Sequence, residues 1–357
     1  MTTIMVVGAS GALGKLVCGE LLRIFNNQIK LIVTDYKTDR GTRLADSFHG
    51  DVQFQYLDVN DEDRVERVLR NVDVAVVVLK QKTPYIQKVC IHNKILCIDA
   101  TPFYDFVQQV IELHHSAVDH KVGSVVMSGF FPGLSGLMIQ KAISDFQEVQ
   151  EINVALLQNK NAKAGISGVL DMLRIIAQPV VYPNKVVPGF TQKRTMYFLN
   201  YNKEQEVRLI EHSEKNLIRN RLTASLINYY TSWNGSGFNK LISMLKRMGV
   251  IQKIHKINHK WLSKAVQHNP KEREDAYLTV EVKGKDRNRN QERVRTLALS
   301  TFSDYHTTAI VTASLAKIAL HKDVQGVVCP FEMTDLDELL SVMNCPDISI
   351  NEIVKMK

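Results

Sequence analysis

Five cysteines in 357 residues, Cys18, Cys90, Cys97, Cys329 and Cys345, are odd in number and scattered, with no Cys-x-x-Cys spacing. That pattern argues against a disulfide or zinc framework; reduced thiols in a cytosolic protein are expected, and no metal. No apolar run approaches the roughly 18 residues of a membrane-spanning helix. The first apolar stretch is only strand-length and has no basic segment ahead of it, so it does not read as a signal peptide. Acidic residues are missing from one long stretch: Asn216 to Pro270 contains no Asp or Glu. The same stretch carries nine fixed cations, Arg219, Arg221, Lys240, Lys246, Arg247, Lys253, Lys256, Lys260 and Lys264, against a formal net charge of +8 for the whole chain. The positive excess is therefore local, which points to an anionic partner more strongly than a diffuse excess would.

What is present begins at the N-terminus. Val6 to Gly14 reads VVGASGALG, after the apolar run Ile4 to Val7 and before Lys15 to Leu22, whose apolar residues recur at helical spacing. Strand, glycine turn, helix is the context in which a glycine fingerprint cradles a dinucleotide pyrophosphate. Gly8 allows the tight turn, Gly11 lets phosphate approach the backbone, and Gly14 lets the helix pack close to the sheet. The spacing is G-x-x-G-x-x-G, not G-x-G-x-x-G. Ser10 reads as a phosphate contact. Lys30 to Asp35 is a second strand ending in a carboxylate, 21 positions after Gly14. There an acid hydrogen-bonds the ribose hydroxyls and repels a 2′-phosphate, which favours NAD. Lys37 and Arg40 follow closely and could partly neutralise a phosphate, so NADP stays open. The cofactor-binding set is Gly8, Ser10, Gly11, Ala12, Leu13, Gly14, Asp35, Tyr36, Asp58, Val59, Leu79 and Lys80.

The alternation continues. Strands are predicted at 52–59, 72–79, 95–100 and 123–127, and helices at 61–70, 84–92 and 106–119. This is the pattern of an α/β fold, a doubly wound parallel Rossmann sheet. Beyond the Gly129 to Leu134 turn the period changes. Segments 151–157 and 194–199 alternate like antiparallel strands with one wet face, and 277–282 and 294–300 flank a polar hairpin loop at 283–291. Helices are expected at 307–320 and 336–343. Length suits two domains.

The glycine turn, the pairing of VDVAVVVL with Pro84-Tyr85 and ILCIDA, and the turn Gly129-Phe130-Phe131-Pro132-Gly133-Leu134 together resemble the saccharopine dehydrogenase-like family. Thr307-Thr308-Ala309 and Gly326 to Glu332 are similar to its closing segment. The resemblance covers most of the chain, but the acid-free segment is not part of the common pattern. It implies a discontinuous Rossmann domain, 1–130 plus 306–357. It also implies an inserted α+β domain, 131–305, that bears substrate and often the dimer contact, here with a basic helical segment at 216–270. A homodimer is thus expected.

The implied activity is NAD(P)-dependent hydride transfer to or from a C=N, C=O or conjugated C=C bond of a small anionic or acyl substrate. The alternatives are a non-catalytic dinucleotide sensor and a peripheral-membrane protein acting on lipid. Reduction needs a proton donor near the developing negative atom. Lys80, Asp99 and Tyr104 are the catalytic candidates by chain order, and His306 is a weaker one. Each also has a structural role open to it: Lys80 a phosphate contact, Asp99 a turn cap, Tyr104 a rim aromatic. No tyrosine is followed four residues later by lysine, which removes the Tyr-x-x-x-Lys pair of short-chain dehydrogenases. In the basic segment Phe238, Leu241, Leu245 and Met248 form an apolar stripe, continued by Ile251, Ile254, Ile257, Trp261 and Leu262, with lysines on the other faces. It suits two solvated helices, or a contact with an anionic lipid surface or acyl chain. Nucleic acid is disfavoured, since few aromatics are available for stacking. The expected location is cytoplasmic, with a peripheral membrane association open.

Overall fold

The computed structural model describes residues 1–163, 166–221, 224, 226–251, 268–287 and 291–356. It divides into one unit of 1–137 with 306–345 and a second of 138–305 with 346–357.

The first unit alternates β1 (Thr2–Val7), α1 (Ala12–Ile24), β2 (Ile29–Asp35), α2 (Thr38–Asp46), β3 (Val52–Tyr56) and α3 (Glu62–Leu69). It continues with β4 (Val74–Val77), α4 (Tyr85–His92), β5 (Leu96–Asp99), α5 (Tyr104–Ile111), α6 (His114–Asp119) and β6 (Gly123–Val125). The strands form one parallel sheet in the order β3-β2-β1-β4-β5-β6, with β15 (Gly326–Val328) on the outer edge of β6. Strand parity explains the two layers. Ile4, Val6, Val74 and Val76 meet Val17, Cys18 and Leu21 of α1 and a row of alanines, Ala309, Ala313 and Ala316. Met5, Val7, Ala75 and Val77 meet Val65, Leu69, Ile86 and Val89 on the opposite face. Apolar residues on both sides of β1 and β4 are what a sheet covered by helices on both faces demands. The chain order reverses between β1 and β4, and at such a switch point a crevice opens at the carboxyl ends of the strands.

Through α7 (Leu134–Ile143) the chain enters the second unit. This contains β7 (Phe146–Gln158), α8 (Ile166–Ala177), the hairpin β8 (Pro179–Tyr182) and β9 (Lys185–Pro188), β10 (Lys193–Phe198), β11 (Lys203–Ile210) and α9 (Glu214–Arg221). Then come β12 (Leu226–Trp233), α10 (Ser236–Arg247), β13 (Ala276–Asp286) and β14 (Glu292–Thr301). The chain returns to the first unit with α11 (Asp304–His321), β15, α12 (Pro330–Met333) and α13 (Leu336–Met343), and ends on β16 (Ser349–Met356). The second sheet runs β10-β11-β12-β7-β13-β14-β16 and is antiparallel except for β12 beside β7. Ala155, Leu157, Met196, Phe198, Val207 and Leu209 build a core on one of its faces, under Val180 and Val187 of the hairpin.

Several sequence expectations change. The third strand ends at Tyr56, so Asp58 and Val59 lie in the loop after it. The helix expected over 106–119 is two, because Leu113 turns inward against Ile91, Ala117 and Val122. The polar hairpin loop is shorter than 283–291, since Lys283 and Lys285 stay in the strand and pair with Glu292 and Glu148. The last strand, β16, pairs with β14 and places 346–357 in the second unit, not with the Rossmann domain. The basic segment 216–270 is not purely helical. Its β-branched and aromatic run LINYYTSW forms β12, buried between β11 and β7. Residues 252–267, with the second half of the expected stripe, lie outside the described residues.

Helix α10 also reverses the expected pattern. Its buried residues are Asn239, Ile242, Ser243 and Lys246, while Phe238, Leu241 and Met244 are exposed. The polar face is pinned. Asn239 accepts from Trp233 N at 2.9 Å and donates to Trp233 O at 2.7 Å. Ser243 Oγ accepts from Arg208 Nη1 at 3.0 Å. Lys246 Nζ donates to Ile176 O at 2.5 Å and to the Gly189 carbonyl, so this lysine is not on a solvated face. Rolling the helix over would strand these groups, at about 1–3 kcal/mol for each left unpaired.

Candidate active site

The glycine turn leaves β1 at Gly8, whose φ of +92° is a conformation that glycine adopts without a Cβ penalty. Gly11 N donates to Gly8 O at 3.1 Å, closing the turn, and Gly11 caps α1 in extended conformation. A Cβ on Gly14 would sit 2.2 Å from Gly8 O, so only glycine lets α1 approach this closely. A Cβ on Gly11 would meet only Gly8 O, at 3.3 Å; its outer side is open. Ala12 is exposed and Leu13 half-buried at the start of the helix, where free N–H groups and the helix dipole favour a phosphate. Ser10 Oγ is buried on the Asp35 side of the turn. An open backbone cradle at the helix start fits a pyrophosphate.

At the end of β2, Asp35 does not stand alone. Arg40 grips it through Nε at 2.5 Å and Nη2 at 2.7 Å, and Lys37 N donates to it at 2.8 Å. Burial pushes the Asp35 carboxyl up, but Arg40, Ser10 and the Lys37 N–H outweigh it and leave it below the usual carboxylate range. Tyr36 is 55% exposed, with the Arg40 guanidinium 5.3 Å and the Lys37 ammonium 5.7 Å from its ring centre. Asp58 and Val59 follow β3, the strand beside β2, and Asp58 Oδ1 accepts from Asn60 N at 3.0 Å. The adenosine end of a dinucleotide would meet an aromatic face and two cations here, not a bare carboxylate.

Leu79 and Lys80 follow β4, and Leu79 Cβ lies 2.9 Å from the position a Cβ on Gly8 would take. Lys80 is exposed and its ammonium stands 4.4 Å over the Phe103 ring. Tyr104, half-buried, opens α5, and its hydroxyl accepts from Gln108 Nε2 at 3.0 Å. Asp99 ends β5 and is buried; its oxygens accept from Gln87 Nε2 at 2.5 Å, Gln81 Nε2 at 3.3 Å and Thr101 N at 2.7 Å. Burial pushes its carboxyl up to about 6, against the opposing pull of Thr101 and Gln87. Lys80, Asp99 and Tyr104 thus share the carboxyl edge of β4 and β5. His306 is engaged elsewhere: its Nε2 lies 2.7 Å from Glu20 of α1.

Two participants escaped sequence reasoning, Phe103 beneath Lys80 and Gln87 beneath Asp99. Gln87 carried a signal, a fully buried glutamine among the apolar positions of α4. Next to β5, the Gly129 to Leu134 turn closes on itself, with Leu134 N donating to Gly129 O at 2.9 Å and a cis Phe131-Pro132 bond. Thr312 of α11 donates to Ser128 O at 2.6 Å and ties the turn down. Among the described residues no cluster of His, Cys, Asp and Glu could hold a metal, and no helix is long and apolar enough to cross a membrane. His255 and His259, spaced by four, lie outside the described residues.

The sheet and the glycine turn define a Rossmann-type dinucleotide-binding protein with an added mixed-sheet domain. A saccharopine dehydrogenase NADP binding domain matches residues 4–125. Apo saccharopine dehydrogenase (L-Glu forming) from Saccharomyces cerevisiae is similar in fold over 99% of this chain and 100% of that one, at 13% identity and TM-score 0.73. An engineered D-amino acid dehydrogenase bound to NADP+ covers 95% of this chain and 98% of its own, at 12% identity and TM-score 0.50. C. glutamicum DAP dehydrogenase in complex with DAP covers the same shares, at 13% identity and TM-score 0.49. No curated protein matches the sequence.

Proposed function

We propose that the chain is an NADP-dependent oxidoreductase acting on a small anionic or acyl substrate, with hydride transfer to or from a C=N, C=O or conjugated C=C bond. The observation that carries this is the Asp35–Arg40 ion pair flanked by Tyr36 and Lys37. The carboxylate alone would favour NAD, but its charge is cancelled by a two-point guanidinium contact, and Lys37 adds a cation. Arg40 Nη1 is not used by Asp35 and can meet a 2′-phosphate, while Tyr36 offers a face to adenine. The bound nicotinamide would supply or accept the hydride; the protein supplies position and a proton.

Lys80 is the donor we assign, because it is exposed at the strand ends and Phe103 holds its ammonium. Tyr104 would assist. Asp99 acts as a positioning residue, since three donors already occupy its oxygens. A lysine in that position also suits an anionic substrate. A homodimer is proposed as well, supported by Ile353 and Val354, 40% and 42% exposed on the edge strand β16; light scattering on a sizing column checks it.

The test of the reaction is a screen of 2-oxo acids with amines, and of acyl and enoyl substrates, by NADPH consumption. A substrate should appear, and Lys80→Met should lower kcat by about 10²–10⁴. If NADPH binds tightly yet no substrate turns over, the protein is a dinucleotide sensor. Full kcat in Lys80→Met would remove this lysine from the chemistry.

A further inference from the structure

Exposed apolar side chains scattered singly are ordinary; a row of them on one helix face is not. Phe238 is 39% exposed, Leu241 47%, Met244 53% and Met248 65%, with Val250 at 37% just beyond. Their spacing of three and four residues puts them along one side of α10 and its C-terminal extension. Phe238 stacks edge-on with Trp233, ring centres 5.1 Å apart, so the row begins at an aromatic pair. The helix cannot hide this row by rotating. Asn239, Ser243 and Lys246 lock the opposite side to Trp233, Arg208, Ile176 and Gly189. The outward apolar face is therefore built in by the buried polar bonds of the second unit.

The charge around the row says what would cover it. Lys240 and Arg247 are exposed on the same helix. No acid lies between Gly235 and Val250 to offset them. An identical copy of this chain would bring the same cations against themselves, and a neutral partner would not use them. An anionic lipid surface uses both features: the interfacial region accepts Phe, Leu and Met side chains, and the headgroups accept Lys and Arg. We propose that α10 is a membrane-docking helix, which lays Phe238, Leu241, Met244 and Met248 into the interface of an anionic bilayer. Such docking needs no spanning segment. It stands independently of the dinucleotide site, since all its residues belong to the second unit.

The experiment is co-sedimentation of the full chain with large vesicles of phosphatidylglycerol and phosphatidylcholine, and with phosphatidylcholine alone, at low and high salt. The wild type should pellet with the anionic vesicles, at least tenfold more strongly than with the neutral ones, and less at high salt. The triple variant Leu241→Ser, Met244→Ser, Met248→Ser replaces only exposed groups. It should lose vesicle binding at least tenfold while keeping its thermal transition and its NADPH affinity. Unaltered binding of the triple variant, or no binding of the wild type to anionic vesicles, overturns the proposal. So does a dimer that the triple variant converts to monomer while vesicle binding is absent, for the face would then join two copies. Loss of NADPH binding in the wild type would count against the cofactor reading alone.

Discussion

Gly14 and Asp99 show how single residues set this site. An alanine at position 14 would place a methyl 2.2 Å from Gly8 O and 2.7 Å from Ala9 O, backbone atoms that cannot swing aside. Gly14→Ala should cost about 1–3 kcal/mol by displacing helix from strand, and dinucleotide affinity should fall with it; chemical denaturation and ligand titration check both. For Asp99 the concern is donors. Asp99→Asn puts an amide N–H₂ against Gln87 Nε2 or Thr101 N, and a buried donor facing a donor costs about 1–3 kcal/mol. The wild-type carboxyl, held up at about 6, also has a pH signature. The folded state binds its proton more tightly than the unfolded state does. Its contribution to stability is therefore greatest below the ordinary aspartate pKa and declines as pH rises from about 3.8 to about 6. Melting curves across that window should show the decline in wild type and not in Asp99→Asn.

At the scale of elements, much of the first unit was legible because its information is local. A glycine turn, an acid at a strand end and runs such as VDVAVVVL each depend on neighbouring residues in the chain. The second unit was less so. LINYYTSW was hidden inside a basic run, and only its pairing with β7, some 75 residues earlier in sequence, makes it a strand. SINEIVKM reads as a tail until β14 is beside it. The inward polar face of α10 was illegible because its partners, Arg208, Ile176 and Gly189, come from distant elements. The Asp35–Arg40 pair lay between these extremes. Both residues stand out in the sequence, but spacing alone does not say that they bind each other.

Removing residues 346–357 deletes β16, its eight-residue ladder with β14 and the Arg295–Glu352 pair. The second unit should melt at lower temperature, with protease cleavage appearing first between 138 and 305. Burial pushes the Lys246 ammonium down to about 8 from its ordinary 10.5. The unfolded chain then holds that proton more tightly, so stability should rise between pH 8 and 10.5, and Lys246→Met should flatten the rise.

For the whole molecule, two sheets of different construction divide the work. The parallel sheet brings a glycine cradle, a paired carboxylate and a lysine to the carboxyl ends of its strands. The mixed sheet carries a helix whose apolar face looks outward. The charge excess of the chain belongs mainly to the second of these, so salt should affect membrane association more than dinucleotide binding. The dinucleotide claim is central, and titration of the purified chain with NADPH and NADH, followed by nicotinamide fluorescence, tests it most directly. Arg40→Ala and Asp35→Ala are titrated alongside. NADPH should bind more tightly than NADH in wild type, Arg40→Ala should lose about ten- to hundredfold in NADPH affinity, and Asp35→Ala should lose little. A wild type that binds neither form below millimolar concentration would contradict the dinucleotide site itself. A clear NADH preference that survives Arg40→Ala would contradict the assignment of Arg40 to the 2′-phosphate.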